Sequence, residues 1–210
     1  MLPETRSSRR VFAGASLLAA VLAAVLTCRG SSAPYAPQSP PYRQKGPPGA
    51  PVLIAEFSDF ECPACAAAAE PLKLLMTIYP SKIRVAFKHR PWPFHKHAKE
   101  AAVAAECAGR SGKFWEYHDE LYSRRLEWID AETAEDIFLR YAKDLGLNQD
   151  SFKSCLRSPE AVAGVDADLK EGGQHWINST PTFFINGTRL VGAQQLRTLG
   201  RNRIEDLLKK

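Results

Sequence analysis

Hydrophobic positions set out a sequence of elements along the chain. Val52-Leu53-Ile54-Ala55 runs on to Phe57 almost without a polar break, the mark of a strand buried on both faces. Cys62 to about Tyr79 reads as a helix, alanine-rich in its first turns and kinked at Pro71. Ile83-Arg84-Val85-Ala86-Phe87 is a second strand, so the first three elements form a right-handed βαβ unit with a parallel pair. Helical spacing follows over His97–Arg124, Thr133–Leu145 and Pro159–Trp176, with Trp115, His118 and Trp176 as packing residues. Thr182-Phe183-Phe184-Ile185 and Thr188-Arg189-Leu190-Val191 flank Asn186-Gly187, a strong hairpin signal. Ile204, Leu207 and Leu208 mark a closing amphipathic helix. The order is βαβ, a helical insertion at about 95–176, then ββα: an α/β domain over residues 50–210.

The first 28 residues read differently. A basic start precedes Val11–Thr27, which carries no charge and is almost wholly apolar, as in an export signal or membrane anchor. Ser8-Arg9-Arg10-Val11-Phe12 resembles a twin-arginine export motif, although any positive signal start holds such arginines. Cys28 follows the apolar run, so lipidation there, cleavage nearby and a retained anchor are all open. Each route puts the domain outside the cytoplasm, in the periplasm or cell envelope, where disulfides persist. Residues 29–49 read as a Pro-rich linker. Ser31–Gly49 contains Pro34, Pro37, Pro40, Pro41, Pro47 and Pro48 and few aliphatics, and so predicts an extended tether.

Charge removes one class of function. The net charge is +5, and removing the first 28 residues (Arg6, Arg9 and Arg10 against Glu4) leaves +3. No Lys/Arg run is interleaved with aromatics, which argues against nucleic acid as a partner.

Cys62-Pro63-Ala64-Cys65 stands where a buried strand hands over to a helix. At a helix N-terminus a sulfur meets unpaired backbone N–H groups and the positive end of the helix dipole, both of which stabilise a thiolate. Thiolates, not thiols, attack disulfides. Pro63 suits the first turn because its missing N–H costs nothing there. A zinc half-site is the rival reading, but zinc wants four ligands, and neither Cys107 and Cys155 nor His95 and His97 supply a matching pair. No metal or organic cofactor is therefore expected.

Three segments resemble the DsbA-like branch of the thioredoxin superfamily. Phe57-Ser58-Asp59-Phe60-Glu61-Cys62-Pro63-Ala64-Cys65 is similar to its active-site strand and helix start. Ser179-Thr180-Pro181-Thr182-Phe183-Phe184-Ile185-Asn186-Gly187 is similar to its cis-proline loop and hairpin. Gly112-Lys113-Phe114-Trp115-Glu116-Tyr117-His118-Asp119 resembles part of its helical insertion. The resemblance spans about Ala50–Lys210 and implies a thioredoxin-like fold. It implies that Cys62 is the exposed nucleophile, Cys65 the buried resolving cysteine and Pro181 a cis residue beside them. Thr180 would offer its backbone to an extended client strand, with Pro63 and Ala64 also on the client-facing side. The family places an acid at Glu56, where burial raises a carboxyl pKa and lets it exchange protons with Cys65; a solvent-facing strand-end acid is the alternative. Lys88 on the neighbouring strand is a candidate partner for Glu56. Some exported relatives carry a second, structural disulfide, which implies a Cys107–Cys155 pair; two inert buried thiols are the alternative. One departure stands out: strongly oxidising members hold a histidine between the cysteines, and this chain has Ala64. That predicts a less depressed Cys62 and a milder oxidant.

The function expected is an exported thiol–disulfide oxidoreductase that exchanges a Cys62–Cys65 disulfide with client protein thiols, as a dithiol oxidase. A quinone-linked membrane oxidase would restore the disulfide, and the N-terminal segment would tether the domain. The same chemistry run backwards, as a reductase or isomerase fed by a membrane thiol transporter, is the nearest alternative. A non-catalytic envelope binding module is the alternative of another class.

Overall fold

The computed structural model describes residues 35–209. Residues 1–28, read above as an export signal or anchor with a twin-arginine-like stretch and Cys28, lie outside them, as do residues 29–34. Among the described residues no helix is long and apolar enough to cross a membrane.

Five strands form one mixed sheet: Gln44–Lys45 (β1), Val52–Ser58 (β2), Ile83–His89 (β3), Thr182–Ile185 (β4) and Thr188–Val191 (β5). Their order is β1-β3-β2-β4-β5. β2 and β3 are parallel, as the βαβ reading requires, and every other pair is antiparallel. The β4–β5 turn has positive φ at both Asn186 (43°) and Gly187 (83°), the conformation a tight two-residue hairpin demands. The crossover helix Pro63–Ile78 (α1) packs Ala68, Leu72 and Leu75 against Val52, Ile54, Ile83 and Val85. Those strand residues alternate with Ala55 and Phe57, which face the other way and meet Ile177 and Phe184. Both faces are covered, which is why β2 reads as a continuous apolar run.

The insertion consists of Ala98–Arg110 (α2), Phe114–Ser123 (α3), Glu135–Asp144 (α4), Gln149–Leu156 (α5) and Pro159–Gln174 (α6). The chain closes with Gly192–Gln195 (α7), a π-helical stretch Leu196–Gly200 and Arg201–Leu208 (α8).

Four expectations are corrected. The stretch read as one helix over His97–Arg124 is two, broken where Gly112 takes φ 76°. α1 is a single helix through Pro71. Pro71 has no N–H to offer Ala67, and the Arg197 guanidinium donates to that carbonyl instead, at 3.3 Å. Trp176 does not pack: it is 82% exposed. Residues 35–49, read as part of a tether, lie on the domain. β1 pairs with β3, Arg43 is buried against Glu106 and Asp168, and Tyr42 donates to Glu106 at 2.8 Å. These anchors are polar and aromatic, so an aliphatic pattern does not report them. The folded domain thus begins before Ala50.

Candidate active site

β2 ends at Ser58, and Asp59-Phe60-Glu61 carries the chain into α1. Cys62 is the N-cap residue of α1, with extended backbone, and Pro63 is its first helical residue. Cys62 is half-buried, Cys65 is fully buried, and Pro63 and Ala64 are exposed. Both active-site cysteines are free thiols. The Thr180–Pro181 peptide bond is cis and brings the Thr180 carbonyl to 3.6 Å from Cys62 Sγ, which donates to it. The sulfur and the proline loop, 118 residues apart in the chain, therefore meet.

The two sulfurs differ as a nucleophile and its resolving partner would. The Cys65 thiol hydrogen bond draws Cys62 down to about 6 from the usual 9.0. Partial burial opposes this, while the Cys65 and Ala64 backbone and Thr180 assist it. The Thr180 hydroxyl is oriented for that task. Its oxygen accepts from Trp92 Nε1 at 2.9 Å, which leaves its own hydrogen for the thiolate. Burial pushes Cys65 well above the ordinary thiol range, although the Asp59 N–H reaches its sulfur at 3.4 Å.

Glu56 is buried on β2, and among the described residues its Oε2 has no hydrogen-bond partner. Desolvation lifts its carboxyl from 4.5 to about 7, opposed by the Ser58 hydroxyl. The same hydroxyl touches Cys65 and lies 2.9 Å from the Tyr122 hydroxyl. Strand parity brings Glu56 and Ser58 to one face of β2.

Lys88 does not pair with Glu56. The parallel register sets Glu56 beside Phe87, so Lys88, one residue on, points through the opposite face. There its ammonium meets Asp168 and Glu171 of α6, in a buried cluster that Arg43 completes.

Cys107 of α2 and Cys155 of α5 are joined by a disulfide with an S–S distance of 2.06 Å. Among the described residues no cluster of His, Cys, Asp and Glu is arranged to hold a metal ion.

The loop after β3 escaped the sequence reading as part of the site. A cleft of about 260 Å³ is lined by Cys62, Trp92, Phe94, His95, Ser179 and Thr180. Phe94 is 74% exposed and stacks on Trp92. The buried Asp59 carboxylate pins this loop, accepting from Trp92 N and from His95 Nδ1, both at 2.8 Å. The available signal was a Pro/aromatic/His-rich loop directly after a buried strand, with an aspartate three residues before the first cysteine.

A dithiol at a helix mouth beside a cis-proline, on a mixed sheet with a helical insertion, is the build of a thioredoxin-fold domain. The family model described as Thioredoxin matches residues 39–203. The chain belongs to the thioredoxin family, with the build of its DsbA-like thiol–disulfide oxidoreductases.

Among solved structures, oxidised BdbD from Bacillus subtilis is similar at 22% identity and TM-score 0.71, over 80% of this chain and 93% of that one. The thiol–disulfide exchange protein alpha-DsbA2 from Wolbachia pipientis is similar at 21% identity and TM-score 0.68, over 79% of this chain and 87% of that one. Curated relatives include a Na(+)/H(+) antiporter, NhaA 3, from Salinispora tropica, 36% identical over 156 residues. That match covers 74% of this chain but 23% of the antiporter, so the chain spans about a quarter of such relatives' length.

Proposed function

We propose that this protein is an exported dithiol oxidase acting on client protein thiols outside the cytoplasm. The observation that carries the reading is the pairing of a half-exposed sulfur held near pKa 6 with a buried one held high, beside a cis-proline. A stabilised Cys62 thiolate favours the reduced form, which makes the disulfide a better oxidant. In the oxidised protein, a client thiolate attacks Cys62 Sγ and forms a mixed disulfide. The Cys62–Cys65 bond breaks and its electron pair leaves on Cys65, which takes a proton from the Glu56 carboxyl. The second client thiolate then attacks the client sulfur and expels Cys62 as thiolate. The client departs oxidised and the enzyme reduced. Thr180, with Pro63 and Ala64 on the exposed rim, receives the extended client strand. A quinone-linked membrane oxidase would restore the disulfide, and the basic, apolar N-terminal segment supports export and a tether.

The reductase or isomerase alternative draws on Ala64, since no side chain between the cysteines adds charge to the thiolate. The test is the potential of the Cys62/Cys65 couple, measured by equilibration with glutathione, together with oxidation of a reduced client by the stoichiometric disulfide form. An oxidase requires a potential well above that of thioredoxin (about −270 mV) and client oxidation that is lost in Cys62→Ser. A potential at or below that value, with a largely reduced pool in vivo, would overturn it in favour of the reductase.

A further inference from the structure

His95 lines the cleft that opens on Cys62, and its position follows from Asp59. The Asp59 carboxylate is buried, and its oxygens accept from the backbone N–H groups of Glu61 and Trp92 and from His95 Nδ1, each at 2.8 Å. In the neutral imidazole, an acceptor on Nδ1 fixes the Nδ1–H tautomer and leaves Nε2 a free lone pair. Among the described residues no hydrogen bond engages that nitrogen, and His95 remains partly exposed. The other charged groups near the pair are Arg90, whose charge acts with Asp59, and Glu61, which is occupied by the Lys96 and His97 N–H groups. An aspartate-held imidazole beside a reactive sulfur is the arrangement used elsewhere to move a proton off a nucleophile.

We propose that His95 is the general base for the incoming client thiol, held in place by Asp59. This rests on reading the cleft as the client site. His95 Nε2 takes the proton from the client S–H as the client sulfur attacks Cys62 Sγ. The client–Cys62 bond forms, the Cys62–Cys65 bond breaks, and its electron pair leaves on Cys65. The imidazolium returns its proton to solvent through the open cleft. The client class follows: ordinary protein cysteines, which are protonated at neutral pH and gain from a base. In this chain the histidine would act on the client's sulfur, from the loop after β3. Position 64, between the cysteines, holds alanine.

Such a base has a ceiling. A thiol of pKa about 8.5 is only a few per cent ionised at pH 7, so complete assistance amounts to about 30-fold. The experiment follows reduction of the oxidised full chain at pH 7 by two probes. One is a peptide carrying two cysteines; the other is an aromatic thiol of low pKa, already ionised. In His95→Ala, peptide oxidation is expected to fall about tenfold, while the aromatic thiol rate changes less than twofold. Above pH 9 the peptide difference should vanish. His95→Gln keeps an N–H for Asp59 without a base and should repeat the selective loss, which separates base removal from a displaced loop. Equal loss with both probes in the Gln variant, or no loss with the peptide, overturns the role of His95. The oxidase reading stands or falls separately, on the potential of the couple.

Discussion

Replacing Glu56 by glutamine removes a buried ionisable group of nearly unchanged shape, and the structure sets the size of the effect. The carboxyl is fully buried, with one oxygen unpartnered among the described residues, and titrates at about 7 instead of 4.5. In the unfolded chain it releases its proton near 4.5. Between those values the native state binds more protons than the unfolded state, so stability must fall as pH rises. The wild-type contribution is full below pH 4.5 and has been lost above pH 7, by about 3 kcal/mol at 1.36 kcal/mol per pH unit. Glu56→Gln does not titrate, so it escapes that loss. Urea unfolding of the two oxidised proteins, in which neither active-site sulfur titrates, is the assay. From pH 4.5 to pH 8 the variant should gain about 3 kcal/mol relative to wild type, which in a parallel thermal melt is roughly 6–12 °C for a chain of this size. If the stability difference between the proteins is the same at both pH values, Glu56 is not a desolvated acid and its assignment as proton donor to Cys65 fails with it.

Other expectations follow from the same geometry. Alkylation of the reduced protein should label Cys62 with half-maximal rate near pH 6 and leave Cys65 unreacted; equal labelling of both sulfurs would contradict the asymmetry. Replacing both Cys107 and Cys155 by alanine opens a 48-residue loop and should cost about 4 kcal/mol of stability by the chain-entropy relation, with oxidase activity kept at permissive temperature. Arg43→Met leaves Asp168 and Glu106 buried without their guanidinium partner and should cost about 3–5 kcal/mol, read by denaturant unfolding. Limited proteolysis should then cut residues 35–49 first.

Most of the fold was legible because it is written in aliphatic periodicity. Val52–Phe57 and Ile83–Phe87 are buried on both faces, and Asn186-Gly187 supplies the positive φ that its turn needs. The Gly112 break was also available, since a glycine past a helical run is a usual stop. The helix Gln149–Leu156 carried its signal too: Asn148 caps it by accepting from Ser151 N at 2.9 Å. The Arg43 anchor was not legible. It depends on a charge cluster assembled from β3, α2 and α6, which no local window contains. The Lys88 error is one of parity, because adjacent strands were inferred without their register. His95 and Asp59, 36 residues apart, meet only because the loop after β3 returns across the start of α1.

Position 64 holds no histidine, and the groups around Cys62 stabilise its thiolate instead. Its sulfur is lowered by hydrogen bonds from Cys65, from the Cys65 and Ala64 backbone and from Thr180, and no side chain between the cysteines takes part. The Cys65 thiol, helix-mouth N–H groups and a threonine held by Trp92 therefore bring the thiolate into the physiological range without an imidazole in the motif. This arrangement separates two properties that an intervening histidine would join. Thiolate stability is set by the Cys65 thiol, the helix-mouth backbone and Thr180, while proton transfer at the cleft is left to a loop that can change without moving the sulfurs. Trp92→Phe tests that separation. It removes the donor that orients the Thr180 hydroxyl while His95 and Asp59 keep their contact. The Cys62 titration should move upward from about 6, whereas the ratio of peptide to aromatic-thiol rates should stay as in the unaltered protein. A fall in that ratio with the Cys62 titration unmoved would show that Trp92 acts through the His95 loop, and the two properties would not be separate.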